Sequence, residues 1–435
     1  MISLEPLLAY YAVPLAVIWA LYLGLRLRSE SRSRSLRAEA VEAGLTEPAS
    51  LHPKIDPVTC LGCGACTRAC PEGDVLGLIK GKAVLIEPTS CIGHGACKTA
   101  CPTGAISLVF GTETRGVELP RVGPDFQTNI PGLFIAGELG GMGLIRNAIE
   151  QGRQAIESVA GLDGIGRAGS LDVIIVGSGP AGLSASLAAL GRKLKFLTLE
   201  QDSFGGTMAH YPRGKVVMTA PAVLPLVGKM RFREVSKEKL LAFWHRAINK
   251  SGVKIRFGER VEAIDRVTSG FVVRTTRGSY RSRAVLLAIG RRGTPRKLEV
   301  PGEDLSKVVY RLIDPEQYRG KHVLVVGGGD SALEAAASVA EEANTTVCLS
   351  YRGDAFGRAK AKNRARVDAA VQRGVLTVML GANVKAIGRD SVQIDHKGRV
   401  LSLRNDAVIV CAGGILPTAF LKSAGIEVET KYGTA

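Results

Sequence analysis

The sequence predicts an α/β protein with two parallel-sheet domains, preceded by a small α+β domain and one long apolar helix. Three observations carry this prediction. Two strand–glycine turn–helix–strand patterns lie at 171–201 and 321–352, seven cysteines crowd between Cys60 and Cys101, and residues 6–25 form an uncharged, mostly apolar run. A length of 435 residues suits about three domains of roughly 150 residues, and a hydrophobic content of 46% suffices for full cores.

The apolar run at 6–25 has the length that a helix needs to cross the hydrocarbon core of a bilayer. No Lys or Arg precedes it and five arginines follow, which favours an uncleaved anchor over a cleaved signal peptide. By the positive-inside tendency, the domains that follow face the cytoplasm. We therefore predict a membrane anchor over 1–28, in contact with membrane lipid, and a polar stalk over 29–55 that is helical from Ser35 to Ala43. The expected location is the plasma (inner) membrane, as a single-pass protein.

The net charge is +17, from 57 basic and 40 acidic side chains. The first 50 residues hold five Arg and five Glu, and residues 51–110 hold five basic and four acidic side chains, so the excess lies after residue 110. No helix-turn-helix, zinc-finger spacing or basic stripe interleaved with aromatics is present, and we expect no nucleic-acid partner. The charge instead suits anionic cofactors, acidic proteins or anionic lipid.

The crowded cysteines form a repeat with metal-binding spacing. Cys60-x2-Cys63-x2-Cys66-x3-Cys70-Pro71 is the spacing of bacterial ferredoxins, in which three thiolates bind one iron–sulfur cluster and the fourth binds its neighbour. The pattern returns 31 residues later, in register, with a histidine at one position. We predict a ferredoxin-like α+β domain over 56–110 with two 4Fe-4S clusters. The first is bound by Cys60, Cys63, Cys66 and Cys101, and the second by Cys70, Cys91, Cys97 and His94.

His94 stands where Cys63 stands in the first half of the repeat, and two interpretations stay open. As an iron ligand, a neutral imidazole in place of a thiolate would raise the potential of the second cluster. Otherwise His94 is an exposed loop residue beside a three-iron (3Fe-4S) cluster.

A zinc site is disfavoured because zinc needs four ligands rather than a crossed repeat of eight positions. Crowded thiols in a long chain also indicate a reducing compartment.

The glycine turn in 171–201 has the pattern of a dinucleotide-binding fold. Gly177, Gly179 and Gly182 provide a tight turn, close approach of a pyrophosphate and close helix packing. Glu200 ends the next strand, where a ribose hydroxyl requires an acidic partner. We predict a Rossmann-like domain here.

The glycine turn in 321–352 repeats this pattern with Gly327 and Gly329, and the helix after it begins with Asp330 and Ser331. Its next strand ends without an acid. Arg352 follows instead, and then Arg358, which suits a 2′-phosphate. NADPH is therefore expected at this second Rossmann-like domain in preference to NADH, and a solvated basic face is the alternative.

Residues 111–435 resemble the low-molecular-weight thioredoxin reductase superfamily of flavoproteins. The landmarks are GSGPAG at 177–182, EQDSFGGT at 200–207, AVLLAIGRRGTPR at 284–296, GGGDSALEAA at 327–336 and VIVCAGGILP at 408–417. YPRGKVVMTAPAVLPL more narrowly resembles the bacillithiol disulfide reductase branch. The resemblance implies an FAD domain over 171–316 and 413–435, interrupted by an NAD(P)H domain over 317–412, with Gly206 and Thr207 near the flavin. We also expect a homodimer.

One family motif stands in an unexpected place. The segment that closes over the flavin is missing after residue 435, yet TNIPGLFIAGELGGMGLIRNAIEQGRQA stands at 128–155. We predict a circular permutation in which 111–160 is the displaced segment of the FAD domain, 161–170 is a linker, and Gly137 and Glu138 contact the flavin. Residues 426–435 are then expected beside 113–120. An unrelated glycine-rich loop at 128–155 is the alternative, against which the combined match of strand, turn and helix speaks.

The cysteine content after the ferredoxin-like domain bears on the function. Thioredoxin reductases carry a Cys-x-x-Cys pair in the nucleotide domain, whereas this region offers only Cys348 and Cys411, each in an apolar strand typical of a core. Electrons at a flavin therefore need another exit. The clusters supply one, because a flavin takes electrons in pairs and can exchange them singly with iron–sulfur clusters.

The expected function is a membrane-anchored NAD(P)H-dependent oxidoreductase that uses FAD and two iron–sulfur clusters, with no catalytic side chain because the cofactors carry the chemistry. The redox partner stays open between a quinone, a membrane protein and a ferredoxin. Two other functions stay open as well. One is reduction of a low-molecular-weight disulfide or other small substrate at the flavin, and the other is redox sensing at the membrane.

Overall fold

The computed structural model describes residues 4–48, 51–166, 170–357 and 359–434. Two compact units divide the chain. The first takes in the chain up to Arg115, together with Ala355–Ala361 and the residues from Gly433 onward. The second consists of Gly116–Asp354 and Lys362–Tyr432.

The first unit contains one very long helix and a small fold of short elements. These are, in chain order, α1 (Leu4–Glu42), β1 (His52–Ile55), α2 (Ala65–Ala69), β2 (Leu76–Ile79), β3 (Lys82–Leu85), a 3₁₀ turn (Pro88–Ser90), α3 (Ala96–Thr99) and β4 (Ile106–Val109). β1 pairs with β4 and β2 with β3, both antiparallel. Each half of the cysteine repeat therefore supplies one short helix to an α+β fold, as the sequence predicts.

Helix α1 runs through the boundary that we predicted at residue 28 between anchor and stalk. Residues 29–43 contain neither Gly nor Pro, and Arg34 pairs with Glu30 one turn earlier at 2.5 Å. Nothing in the sequence therefore stops the helix before Gly44. The stalk prediction needs correction at both ends, because its first half continues the helix and His52–Ile55 pairs with β4.

The segment Tyr10–Glu42 of α1 is long and apolar enough to cross a membrane by length and composition. Its most apolar stretch has a mean hydropathy of 1.4 and none of that stretch is buried. A signal sequence near an N-terminus has the same properties.

The second unit contains the two larger sheets. Its helices are α4 (Ile145–Ala160), α5 (Pro180–Gly191), α6 (Lys237–Ser251), α7 (Asp330–Ala340), α8 (Ala361–Gln372, whose first residue belongs to the first unit) and α9 (Thr418–Ser423), with 3₁₀ turns at Glu138–Gly140, Gly206–His210 and Pro315–Tyr318. Its strands are β5 (Val117–Pro120), β6 (Leu133–Ile135), β7 (Leu171–Val176), β8 (Phe196–Leu199), β9 (Val216–Met218), β10 (Ala222–Leu224), β11 (Gly228–Met230), β12 (Glu234–Ser236), β13 (Ile255–Arg256), β14 (Val261–Val267), β15 (Gly270–Thr275), β16 (Gly278–Leu287), β17 (Thr294–Pro295), β18 (Val308–Val309), β19 (His322–Val326), β20 (Thr346–Tyr351), β21 (Leu376–Leu380), β22 (Ala382–Ile387), β23 (Ser391–His396), β24 (Arg399–Arg404), β25 (Ala407–Val410), β26 (Gly414–Ile415) and β27 (Val428–Lys431).

The first large sheet has the strand order β13-β8-β7-β16-β15-β14, and β6 also pairs with β16. The strands β6, β7, β8, β13 and the end of β16 are parallel. β7 is an almost continuous apolar strand whose last five residues are buried, as expected where helices cover both faces of a parallel sheet. The carboxyl ends of these parallel strands meet at one edge, where ligands bind in such folds.

The second large sheet is parallel, with the order β18-β25-β19-β20-β21. A separate antiparallel sheet of β22, β23 and β24 follows it in the chain. In both Rossmann-like patterns that the sequence predicts, the two strands that flank the glycine turn are parallel, and the turn lies at their carboxyl edge.

The end of the chain returns to the beginning of the second unit. β27 pairs antiparallel with β5, with Val428 opposite Pro120 and Lys431 opposite Val117. Arg121 Nη1 lies 2.9 Å from Glu427 Oε2 beside this pair. The expected position of residues 426–435 beside 113–120 is therefore found for the paired strands, and β6 lies in the first large sheet as the displaced-segment prediction requires.

Candidate cofactor-binding sites

The turn between β7 and α5 has three glycines, each with a different steric reason. Gly177 has a φ of 108°, and a Cβ there would lie 2.5 Å from the Ala288 carbonyl oxygen. A Cβ on Gly182 would lie 1.9 Å from the Gly177 carbonyl oxygen, so the helix packs against the turn only with glycine. A Cβ on Gly179 would meet no atom within 4 Å. The turn therefore presents open backbone at Gly179, which fits a pyrophosphate at the N-terminus of α5.

The segment predicted near the flavin lies across this turn. The Gly205 N–H donates to the Ser178 carbonyl oxygen at 3.2 Å, and a Cβ on Gly206 would lie 3.1 Å from the Gly179 Cα atom. Thr207 follows in the 3₁₀ turn Gly206–His210. Gly206 and Thr207 therefore lie at the dinucleotide turn, as the family resemblance implies.

Glu200 lies directly after β8 and is buried, with 7% of its surface exposed. Its Oε2 atom accepts hydrogen bonds from the Ser178 N–H at 2.7 Å and the Ser178 hydroxyl at 2.9 Å, and its Oε1 atom accepts one from the Asp202 N–H at 2.9 Å. An ionised carboxylate has about four acceptor sites. Glu200 is thus fixed by the turn itself and keeps acceptor capacity for a ribose hydroxyl.

The segment from β6 to α4 reaches the same turn. The Ala136 N–H donates to the Leu287 carbonyl oxygen at 3.1 Å, which continues the pairing of β6 with β16. A Cβ on Gly137 would lie 3.0 Å from the Ala181 Cβ atom, and one on Gly152 of α4 would lie 2.1 Å from the Ala181 carbonyl oxygen. Gly137 and Glu138 therefore come next to the first turn of α5, from a segment that precedes α5 in the chain.

Glu138 is exposed to solvent although much protein surrounds its carboxyl group. That partial dehydration raises its pKa, and the positive charges of Arg291 and Arg292 oppose the shift. Burial likewise raises the pKa of the Tyr211 hydroxyl, and the charge of Glu138 adds to it. Glu138, Tyr211 and Arg292 thus lie within range of one another's charges, and Tyr211 directly follows the 3₁₀ turn Gly206–His210.

The second turn, between β19 and α7, has the same backbone plan. Gly327 has a φ of 143°, and a Cβ there would lie 2.4 Å from the Cys411 carbonyl oxygen. A Cβ on Gly329 would meet no atom within 4 Å. Asp330 begins α7 and accepts a hydrogen bond from Asn363 Nδ2 at 2.7 Å, and Ser331 is exposed. The open backbone at Gly329 fits a second pyrophosphate.

The residue at the acid position of the second turn is Tyr351. The Gly177 N–H donates to the Leu199 carbonyl oxygen and the Gly327 N–H donates to the Ser350 carbonyl oxygen, so Tyr351 occupies the place of Glu200. Its ring lies against Gly328, where a Cβ would come within 2.5 Å of three ring carbons. Arg352 is exposed beside it, while Arg358 lies outside the described residues.

The cysteine repeat forms the core of the small fold in the first unit. Cys60, Cys66, Cys91 and Cys97 are buried together, with Cys70 and Cys101 packed against them. Cys63 is exposed. Burial raises the pKa of Cys91 to about 11 and raises that of Cys97. Clustered, buried thiols of this kind fit an iron–sulfur cluster, because iron binds cysteine as the thiolate and its positive charge stabilises that form.

The cysteine thiols of the two halves of the repeat lie near one another. The Cys91 thiol lies close enough to Cys97 and Cys70 for their charges to raise its pKa further, after burial. Cys70 comes from the first half of the repeat, so thiols of both halves lie near one another, and the assignment of Cys70 to the second set stays a prediction. Burial and then the neighbouring Cys60 raise the pKa of Cys66. The assignment of Cys101 to the first set stays a prediction. Within the described residues, no three His, Cys, Asp or Glu side chains converge on a site for a single ion.

His94 is half-buried and one of its ring nitrogens lacks a partner. Nδ1 accepts a long hydrogen bond from the Ala96 N–H at 3.4 Å, and Nε2 is buried with no hydrogen-bond partner. Burial lowers the pKa of the ring, so the neutral form is favoured. With Nδ1 as acceptor, the neutral ring carries its proton on Nε2 and could donate to a cluster sulfide. Ligation to iron through Nε2 would instead move the proton to Nδ1 and break the weak bond to Ala96.

Of the two remaining cysteines, one lies in the second large sheet and the other directly after one of its strands. Cys348 is within β20, and Cys411 follows β25. Burial raises the pKa of each thiol to about 11. Both side chains are half-buried rather than part of the buried core, and the raised pKa values keep both thiols protonated at neutral pH.

Sequence reasoning missed the residues that complete these sites. Gln151 of α4 accepts a hydrogen bond from the Gly137 N–H at 2.8 Å, and Ser178 holds Glu200. Aligning the two glycine turns residue by residue would have found both Ser178 and Tyr351, because Ser178 lies in GSGPAG at 177–182 and Tyr351 ends the second strand of the pattern at 321–352. No sequence signal marks Gln151, since its contact depends on how α4 packs.

Two family models match the chain. One described as pyridine nucleotide-disulphide oxidoreductase matches residues 174–434, and one described as 4Fe-4S dicluster domain matches residues 52–102. The first match covers more than half of the chain, which is enough to assign the chain to a family.

Individual proteins agree with these models. The ferredoxin–NADP reductase of Ignicoccus hospitalis is 30% identical over 269 residues, which are 60% of this chain and 83% of that protein. The bacilliredoxin reductase of Bacillus subtilis is 25% identical over 267 residues, 60% of this chain and 82% of that protein. The structure of a bacillithiol disulfide reductase from Staphylococcus aureus has a TM-score of 0.52 at 26% identity and covers 59% of this chain and 80% of that one.

Three observations support the same kind of protein. The two glycine turns leave open backbone for two dinucleotides, Glu200 is held in place beside the first turn, and a dicluster domain matches the cysteine repeat. The chain belongs to the pyridine nucleotide-disulphide oxidoreductase family and is an oxidoreductase of the FAD and iron–sulfur type.

Proposed function

We propose that the protein is a membrane-anchored, NAD(P)H-dependent electron-transfer enzyme. Its Gly177–Gly182 turn binds FAD, its Gly327–Gly329 turn binds NADPH or NADH, and the cysteine repeat binds two 4Fe-4S clusters. Bound FAD would accept hydride from the coenzyme, and the clusters would exchange single electrons with a redox partner. The chain's own residues bind and orient these groups.

The observation that carries the proposal is the joining of a two-half cysteine fold to a flavoprotein that lacks a dithiol. All nine cysteines of the chain are accounted for by the repeat and by Cys348 and Cys411, whose thiol pKa values burial raises to about 11. A relay through these two thiols would need thiolates that neutral pH does not supply. The crowded cysteines are the remaining exit for electrons from the flavin.

Two features support the anchor. Residues 6–25 are uncharged, and α1 continues past them into contacts with the small fold at Glu30 and Ser33. Cleavage after the apolar run would cut an intact helix just before those contacts.

Strand pairing supports the circular permutation. β27 pairs with β5, and β6 pairs with β16 in the first large sheet.

A second candidate is reduction of a low-molecular-weight disulfide at the flavin. It is favoured by the likeness to bacilliredoxin reductase and to a bacillithiol disulfide reductase. A membrane-tethered redox sensor is the third. Turnover with disulfides, compared with turnover with one-electron acceptors, separates the first two, and rapid NADPH oxidation with an artificial acceptor contradicts the third.

The deciding experiment is anaerobic purification with iron and flavin analysis, followed by stepwise titration with NADPH. We expect one FAD, about eight iron atoms for two 4Fe-4S clusters, bleaching of the flavin absorbance and the appearance of reduced-cluster signals in electron spin resonance. A flavin that bleaches while the clusters stay oxidised in excess NADPH, together with disulfide turnover, would establish the second candidate instead.

The second cluster is tested at His94. If His94 ligates iron, His94→Ala removes one iron or the whole second cluster and leaves the first intact, while His94→Cys lowers the second cluster's potential by restoring a thiolate. If Nε2 only donates to a sulfide, His94→Ala keeps the iron content and shifts the potential slightly. Thr99→Ala, on the next helix, is a matched control that should leave iron and potential unchanged.

The anchor is tested by deleting residues 1–28. The truncated protein should be soluble and keep its colour, because the contacts of Glu30 and Ser33 remain. A truncated protein that stays in the membrane pellet would reveal a second membrane contact.

A further inference from the structure

Helix α1 holds the small cysteine fold close to the end of its apolar run. Glu30 Oε1 accepts a hydrogen bond from the Lys80 N–H at 2.9 Å. Arg32 pairs with Asp74 at 2.5 Å, and a Cβ on Gly77 would lie 2.5 Å from the Ser33 hydroxyl oxygen. The β2–β3 hairpin therefore lies along the helix, with its Lys80–Gly81 turn nearest the apolar run.

The Lys80–Gly81 turn reaches the first charged residue after that run. A Cβ on Gly81 would lie 3.8 Å from the Arg26 guanidinium. Lys80 and Gly81 both have positive φ, 51° and 70°, as a tight two-residue hairpin turn requires. Glu30 itself is only about 7 Å along the helix from Leu25, at 1.5 Å per residue.

The same turn also packs against the first cysteine loop, which we define as Val58–Cys63. A Cβ on Gly62 would lie 1.9 Å from the Gly81 carbonyl oxygen, and Lys82 Nζ donates to the Cys60 carbonyl oxygen at 2.7 Å. The turn thus connects Arg26 on one side with the first cysteine loop on the other. This places the first cysteine loop at the end of the fold that faces the apolar run.

The first cysteine loop exposes apolar side chains, whereas the equivalent loop in the second half of the cysteine repeat does not. Val58 is 87% exposed and Leu61 is 73% exposed, and Cys63 is exposed as well. The equivalent residues in the second half of the repeat are Thr89, which is 4% exposed, Ile92 and His94, which are both half-buried. Two halves with the same backbone pattern therefore differ at the loop beside the apolar run.

We infer that the first cysteine loop rests on the lipid surface, with Val58 and Leu61 at the boundary between headgroups and acyl chains. Apolar side chains beside cationic ones are typical of segments that lie in this interface. The exposed cations next to the loop are Arg26, Lys80 and Arg68, which donates to the Cys63 carbonyl oxygen at 3.3 Å. Anionic headgroups complement them. The inference rests on the proposed function, because it takes 6–25 as a membrane span.

Fluorescence in vesicles tests this contact with the full-length holoprotein. The chain has two tryptophans, Trp19 in α1 and the fully buried Trp244. Trp19→Phe removes the indole in the span, and Leu61→Trp is then compared with Val41→Trp. Val41 is 58% exposed on the same helix, about 22 Å beyond Arg26 at 1.5 Å per residue. Both variants must keep the absorption spectrum of the parent protein.

The vesicles contain phosphatidylcholine and phosphatidylglycerol, with and without bromine on the acyl chains close to the headgroups. The indole at position 61 should emit at shorter wavelength and lose emission in the brominated vesicles, whereas the indole at position 41 should emit equally in both. Flotation of the same samples shows whether the protein is anchored. Floating protein with no bromine-dependent loss at position 61 overturns this inference alone. Protein that does not float overturns the anchor, and this inference with it.

Discussion

The two glycine turns of the second unit have the same first two glycines and different partners at the position that selects a ribose. In the first, Ser178 donates two hydrogen bonds to buried Glu200. In the second, Gly328 makes room for the ring of Tyr351. A shared fold therefore fixes where a dinucleotide can approach, and a single pair of side chains decides what its ribose meets.

The third position of the turn gives the largest expected effect. Gly182→Ala places a Cβ 1.9 Å from the Gly177 carbonyl oxygen, so the turn or α5 must shift. We expect destabilisation of more than about 3 kcal/mol and loss of the flavin, measured by thermal unfolding and flavin content. The second turn already has Ala332 at this position, and Ala332→Gly should cost only about 1 kcal/mol. Equal effects at both positions would contradict the steric difference between the turns.

Glu200 gives the next largest effect. Glu200→Ala removes the acceptor for two donors of Ser178, and each stranded donor costs about 1–3 kcal/mol. FAD affinity should fall sharply, as measured by flavin retention on dialysis and by rebinding titrations. Tyr351→Phe is the matched change in the second turn and should leave FAD binding as it is. Normal FAD retention in Glu200→Ala would show that the ribose partner lies elsewhere.

Coenzyme choice tests the second turn. Replacing Arg352 and Arg358 by Ala should weaken NADPH much more than NADH, by about 1–3 kcal/mol for each lost charge-assisted contact. The measurement is the ratio of kcat/KM values for the two coenzymes. Arg399→Ala, on β24, is a control that should leave the ratio unchanged. An equal loss for both coenzymes would mean that the two arginines do not recognise a 2′-phosphate.

The smallest effect is expected at Cys411. Its carbonyl oxygen lies beside Gly327 of the second turn as the Ala288 carbonyl oxygen lies beside Gly177 of the first. Cys411→Ala should leave FAD content and turnover unchanged, because the Cys411 thiol pKa is raised to about 11 by burial. A raised pKa keeps the thiol protonated, so alkylation should be negligible at pH 7 and rise about tenfold per pH unit until the pH nears 11. Mass spectrometry of the alkylated peptide measures this. Fast labelling at pH 7, or lost turnover in the variant, would restore a role for the thiol.

The sequence predicts the parts of the fold that depend on local patterns. The glycine spacings, the 31-residue cysteine repeat and the motif at 128–155 predict both turns, the small fold and the position of β6. The predicted boundary at residue 28 is wrong, because it rests on a change from apolar to polar residues, whereas helix propensity does not change there and α1 continues to Glu42. The neighbours of Tyr351 and His94 depend on packing between distant segments, which local patterns do not encode.

The order in which the strands of the first large sheet occur in the chain has a consequence for synthesis. β6 is fully buried, yet its partner in β16 follows about 150 residues later in the chain, and β5 waits for β27 at the end. At roughly 5–20 residues per second, β6 emerges from the ribosome about 8 to 30 seconds before it can pair. During that interval an apolar strand edge is unprotected, so folding of this sheet should depend on chaperones more than folding of the small cysteine fold, whose strands pair within about 60 residues.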